Sequence, residues 1–78
     1  MVRMPKRHRS LTAFGLAVRR AREAKGLTQE RLAERAELDS TYISGIERGV
    51  RNASLISLVR VAKGLGTPLS ELCEGVDS

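Results

Sequence analysis

The chain has 78 residues, 14 Lys and Arg against 9 Asp and Glu, a formal net charge of +5 and a single cysteine. One small domain is expected at that length; an internal disulfide is excluded, one His and one Cys cannot complete a four-ligand metal site within a monomer, and no apolar run approaches the ~20 residues of a membrane span. The positive balance fits an acidic partner, nucleic acid above all, and the shortage of aromatics, with Phe14 and Tyr42 alone, fits packed helices better than a sheet.

Four of the basic residues, Arg3, Lys6, Arg7 and Arg9, fall in the first ten positions, where there is no acid. Residues 1–10 have no apolar period, contain Pro5 and read as a flexible basic arm, either solvated or lying on DNA phosphate or in a minor groove. No cleavable apolar segment follows, so a soluble, cytoplasmic protein is expected. The folded part is expected over 11–74, with a short tail at 75–78. Ser10 is the predicted cap of a first helix over Leu11–Lys25, whose inward stripe is Leu11, Phe14, Val18 and Ala21. Gly26 ends it.

Thr28 is the predicted cap of a second helix over Gln29–Ala36, with Leu32 and Ala33 inward. Three residues later Asp39 caps a third, over Ser40–Arg48, which Gly49 stops. Ile43 and Ile46 are its apolar face. Ser54 precedes a fourth helix over Leu55–Gly64, with Leu55, Leu58, Val59, Ala62 and Leu65 as the expected stripe. Thr67 and Pro68 open a short fifth one, Pro68 at its first position, with Leu69 and Leu72 apolar. The expected class is all-α, five short helices and no strand.

Two helices of about eight residues joined by three cannot lie antiparallel and must cross steeply, as in a helix-turn-helix. The second member of such a pair enters a DNA major groove. At 100° per residue, Thr41, Tyr42 and Gly45 point away from Ile43 and Glu47, flanked by Ser40 and Ser44. Hydroxyls serve as donor or acceptor at base edges, and glycine lets backbone approach closely. Gln29 stands where the second helix N-terminus would meet a phosphate. Arg48, at the end of the third helix, is counted with this expected DNA face. Two charges look misplaced: Arg22 extends the inward stripe of the first helix and Glu47 that of the third. A lone charge there is costly, so each implies the other.

The stretch "GLTQERLAERAELDSTYISGIERG", with its "KGLTQERLA", its core Ala33, Ile43 and Ile46 and its closing "IERG", resembles the lambda-repressor-like (Xre-type) helix-turn-helix regulators over about residues 14–72. The resemblance implies their five-helix DNA-binding fold and an Arg22–Glu47 pair beside the DNA surface. It also exposes a departure: Glu37 stands where the family usually has glycine. A left-handed backbone there would cost about 1 kcal/mol. "LDSTYISGIERGVRN" is further similar to the controller proteins of restriction–modification systems, which bind operators as homodimers and control their own gene and the endonuclease gene. That likeness places Ser40, Thr41, Tyr42 and Ser44 at bases and Arg51 and Asn52 at backbone or bases. Ser40 departs from it, because a larger residue, often Arg, is usual there.

The implied function is a sequence-specific transcription regulator on a double-stranded DNA operator, needing no cofactor or metal, with RNA polymerase as a further partner for activation. Dimerisation is expected through Ile56, a surplus apolar residue, and through Leu69, Leu72 and Val76; alternatively, Leu69 and Leu72 only close the monomer core. Cys73 reads as a small buried hydrophobe. An antitoxin that binds both a toxin and DNA is the competing reading. An enzyme has little to recommend it, since no nucleophile–base pair or phosphate-cradling loop stands out.

Overall fold

In the computed structural model, which describes residues 8–77, the described residues form five helices and no strand: α1 (Arg9–Ala24), α2 (Gln29–Ala36), α3 (Ser40–Glu47), α4 (Leu55–Leu65) and α5 (Leu69–Leu72). The basic residues Arg3, Lys6 and Arg7 of the expected arm lie outside the described residues.

Local chemistry sets most boundaries. The Thr28 hydroxyl accepts from the Arg31 N–H at 3.0 Å, the Asp39 carboxylate from the Thr41 N–H at 2.7 Å, and the Ser54 hydroxyl from the Ser57 N–H at 3.2 Å. Each satisfies a donor that the first helical turn leaves without a partner. Gly26 (φ +68°) and Gly66 (φ +67°) supply the left-handed turns after α1 and α4. Two starts differ from expectation. The first helix begins earlier, at Arg9, because the ring of His8 accepts from the Ser10 N–H at 3.2 Å and so provides the cap. Ser10 instead donates its hydroxyl to the Val76 carbonyl at 2.7 Å, tying the start of α1 to the end of the chain. In α5, Pro68 (ψ 139°) is the cap and not the first helical residue, and no side chain caps it.

The core is formed by Phe14, Val18, Leu32, Ala33, Ile43, Ile46, Val61, Ala62, Leu65 and Leu72. α1 packs on α3, α2 packs on both α3 and α4, and α5 closes the end of α4. Two close approaches depend on glycines. A Cβ on Gly15 would overlap the Ile46 carbonyl oxygen and stand 2.7 Å from that of Glu47, while one on Gly64 would come within 3.2 Å of the Ala36 nitrogen and Leu32 Cδ1. The fourth helix is phased differently from expectation: Leu55 is 69% exposed, and Val61, outside the expected stripe, is fully buried. The apolar arc of α4 is wider than the face it buries, so its sequence period does not decide which part of that arc goes inward.

The turn between α2 and α3 is left-handed at Glu37 (φ 58°, ψ 43°), a conformation glycine adopts more readily than any other residue. Its amide donates to the Glu34 carbonyl, and that of Leu38 to Ala33. The strained position predicts that Glu37→Gly stabilises the domain. The gain should be about 0.5 kcal/mol, the relief of strain less the extra freedom of an unfolded glycine. Urea denaturation with an unchanged or lower midpoint would contradict this.

Candidate nucleic-acid interface

α3 is held by contacts at both ends. At its N-terminus the Asp39 cap and the turn at Glu37 fix its angle to α2. At its C-terminus Glu47 meets Arg22 of α1. Arg22 Nε donates to Glu47 Oε2 at 2.6 Å and its terminal nitrogen Nη2 to Oε1 at 3.1 Å, in a bidentate pair. The other guanidinium nitrogen donates to the Leu27 carbonyl at 2.7 Å, and the Gln29 amide to Glu47 Oε1 at 3.0 Å. The side chains are 12% (Arg22) and 3% (Glu47) exposed. Hydrogen bonding to Glu47 raises the Arg22 pKa above its ordinary value, although burial works the other way. Four points are thereby joined: α1, the turn after it, the first residue of α2 and the last of α3. The two charges on apolar stripes do meet. Gln29, expected to be free for a phosphate, commits an amide N–H to this cluster.

The outward side of α3 carries exposed Thr41 and Arg48, with Ser40, Tyr42 and Ser44 half-buried beside them. Arg48 Nε donates to the Ser44 hydroxyl at 3.3 Å. Gly45 is on this side in phase but is buried, contrary to the expectation that its bare backbone faces DNA. The loop after the helix folds back over it. Both the Val50 and Arg51 amides donate to the Gly45 carbonyl, at 3.0 and 3.2 Å. A Cβ at 45 would stand 3.2 Å from that of Arg51 and 4.0 Å from a Val50 methyl. The missing side chain leaves a slot, and Arg51 lies in it, its guanidinium carbon 4.9 Å from the centre of the Tyr42 ring. Gly49 (φ +73°) makes the return possible, packed so closely on Thr12 that a Cβ would approach within 2.9 Å.

One surface thus gathers Thr41, Tyr42, Ser44, Arg48 and Arg51, and exposed Asn52 follows Arg51 in the chain. Among the described residues neither Arg48 nor Arg51 is ion-paired with an acid, unlike Arg19 with Glu23 and Arg31 with Glu34. Val50, between Gly49 and Arg51, is half-exposed beside these polar groups. No three His, Cys, Asp or Glu of the described residues are grouped as for a metal, and no described helix is long and apolar enough to cross a membrane.

The expected dimer residues separate. Ile56 is 69% exposed, as is Leu55. Leu69 and Val76 are half-buried against the core. Leu72 is buried and completes the monomer's own core, so it is not available to a partner. Cys73 is half-buried beside a small apolar cavity of about 110 Å³ that Phe14, Leu58 and Val76 also line.

The helix-turn-helix family model matches residues 18–72. Control protein C.MunI of Mycoplasma sp is 43% identical over 65 residues, 82% of this chain and 88% of the relative. Among solved structures, the restriction-modification controller protein C.AhdI from Aeromonas hydrophila superposes with a TM-score of 0.81 at 43% identity, over 83% of this chain and 98% of the other. C.Esp1396I bound to a 19 base pair DNA duplex superposes with a TM-score of 0.77 at 40% identity, over 87% and 91%.

Proposed function

The chain belongs to the helix-turn-helix family, and from that premise we propose that it is a sequence-specific DNA-binding transcription regulator, the controller of a restriction–modification system. The observation that carries this is the face of α3: hydroxyls, an aromatic ring and two arginines free of acids lie on one surface, and the buried Arg22–Glu47 pair holds that surface at a set angle. The likeness to controller proteins supports the same reading, since one of them is bound to a DNA duplex. α3 would lie in the major groove, with Thr41, Tyr42, Ser44 and Ser40 toward base edges and Arg48, Arg51 and Asn52 toward phosphates or bases. Gln29, at the start of α2, would keep a phosphate within reach of its remaining amide hydrogen.

The protein would act in the cytoplasm as a homodimer on a two-fold operator, since one short helix makes few base contacts and pairing adds a second half-site about 34 Å away. Ile56 and Val59, one turn apart, lead along α4 to a groove that Leu69 and Pro68 also line. A partner copy laid there would cover Leu55 and Ile56. Occupancy of a promoter would repress it, and contact with RNA polymerase from an adjacent site would activate. A toxin-neutralising role finds no support in the relatives.

Selection from random duplex DNA followed by anisotropy titration tests this. Thr41→Ala should lower affinity for the selected sequence by about 1 kcal/mol, roughly fivefold, with little effect on random DNA. Arg51→Ala should weaken both and flatten the salt dependence. Unchanged ratios of specific to random binding in Thr41→Ala would show that α3 is not the reading element.

A further inference from the structure

Of the exposed large apolar side chains, Leu55 and Ile56 belong to the face assigned above to the partner copy and Leu16 of α1 borders the Arg22–Glu47 cluster, whereas Val50 lies on the loop that folds back over α3. It is 50% exposed and belongs neither to the core nor to the half-buried residues packed on it. Its neighbours in sequence, Gly49, Arg51 and Asn52, offer it no apolar shelter.

Its position is well defined. The Val50 amide is bonded to the Gly45 carbonyl at 3.0 Å, and one of its methyls lies 4.0 Å from where a side chain at 45 would begin. Gly45 is one turn beyond Thr41 on the same outward face of α3. Val50 therefore supplies an apolar group at the slot that Gly45 leaves open, beside the Arg51 side chain. β-Branching and the anchored backbone leave that group little freedom. Of the groups that base edges present in the major groove, one is apolar: the C5-methyl of thymine.

We propose that Val50 is a specificity-determining residue that recognises a thymine methyl within each half-site. This rests on the reading of α3 as the DNA-facing helix. Val50 contributes no hydrogen bond; it favours thymine over cytosine by covering a methyl group that would otherwise face water. Neighbouring Arg51 and Thr41 contribute the polar contacts on either side.

The test uses the full chain and a DNA sequence selected from a random pool. Each thymine of one half-site is replaced in turn by deoxyuridine, which removes only the methyl. The wild-type protein should lose about fourfold in affinity at one thymine, the effect of uncovering one buried methyl. Val50→Ala should bind the intact site several-fold more weakly and be indifferent to deoxyuridine at that thymine. Val50→Thr, which keeps the side-chain shape and one methyl, should retain part of the response. Wild-type indifference to deoxyuridine at every thymine would overturn the proposal. So would an undiminished deoxyuridine effect in Val50→Ala. A pool that yields no preferred sequence would overturn the reading of the protein as a sequence-specific regulator, and the role of Val50 with it.

Discussion

Glu47→Ala is expected to destabilise the domain by about 3–5 kcal/mol, the usual consequence of removing one partner of a buried ion pair. The variant leaves the Arg22 guanidinium, 12% exposed, with the Leu27 carbonyl and, at 4.0 Å, the exposed Glu23 carboxylate, and deprives the Gln29 amide of its partner. A domain of this size has a total stability toward the low end of about 5–15 kcal/mol, so much of the chain should be unfolded at growth temperature. Arg22→Ala should cost a similar amount by stranding the carboxylate, which is buried more deeply. The pair is not thereby a large net source of stability. Replacing both residues together, with Arg22→Met and Glu47→Leu, should cost much less than the two single changes added, because no charge is stranded. What the double variant should lose is the aim of α3: DNA affinity falls while the melting temperature recovers. Urea midpoints and anisotropy titrations on the three proteins separate these outcomes. A Glu47→Ala protein that melts with the wild type would remove the pair from any structural role.

That pair was legible in the sequence because a charge on an apolar stripe is a contradiction with few physical resolutions. The caps Thr28, Asp39 and Ser54 were legible for a related reason: each is a short polar side chain just before an apolar period. The phase of α4 was not, since Leu55, Ile56, Leu58, Val59 and Val61 offer more apolar residues than one face can bury. The packing of α2, α1 and α5 on this helix decides that Val61 goes in and Leu55 stays out. Gly45 failed for another reason. Helical phase gives the direction in which a residue points but not what a following loop lays over it, and here Arg51 fills the slot. Gly15 escaped notice because a count of apolar residues treats glycine as neutral, whereas its role lies in what comes close to it.

Gly15→Ala should destabilise the domain by about 2 kcal/mol or more and weaken specific DNA binding beyond what the lost stability explains. In an isolated helix the change would help, by about 0.5–1 kcal/mol. Here the added methyl overlaps the Ile46 carbonyl oxygen and stands 2.7 Å from the Glu47 oxygen and 2.9 Å from its carbonyl carbon. These are backbone atoms of α3 and cannot rotate away as the end of a side chain can. Relief requires the two helices to separate, and overpacking of this kind costs about 1–3 kcal/mol or more. The separation also acts on the ion pair, because Glu47 lies at the overlap while Arg22 is two turns along the same α1. Gly64→Ala is the control. Its methyl would meet Leu32 Cδ1 and the Ala36 nitrogen at 3.2 Å, a contact that a shift of a few tenths of an ångström relieves, and it lies away from α3. It should cost less stability than Gly15→Ala and leave DNA recognition intact. Measured at a temperature where both variants are fully folded, a lower specific affinity in Gly15→Ala alone would trace the reading angle of α3 to its seat on α1. Equal affinities would mean that the turn at Glu37 and the Asp39 cap suffice to aim it.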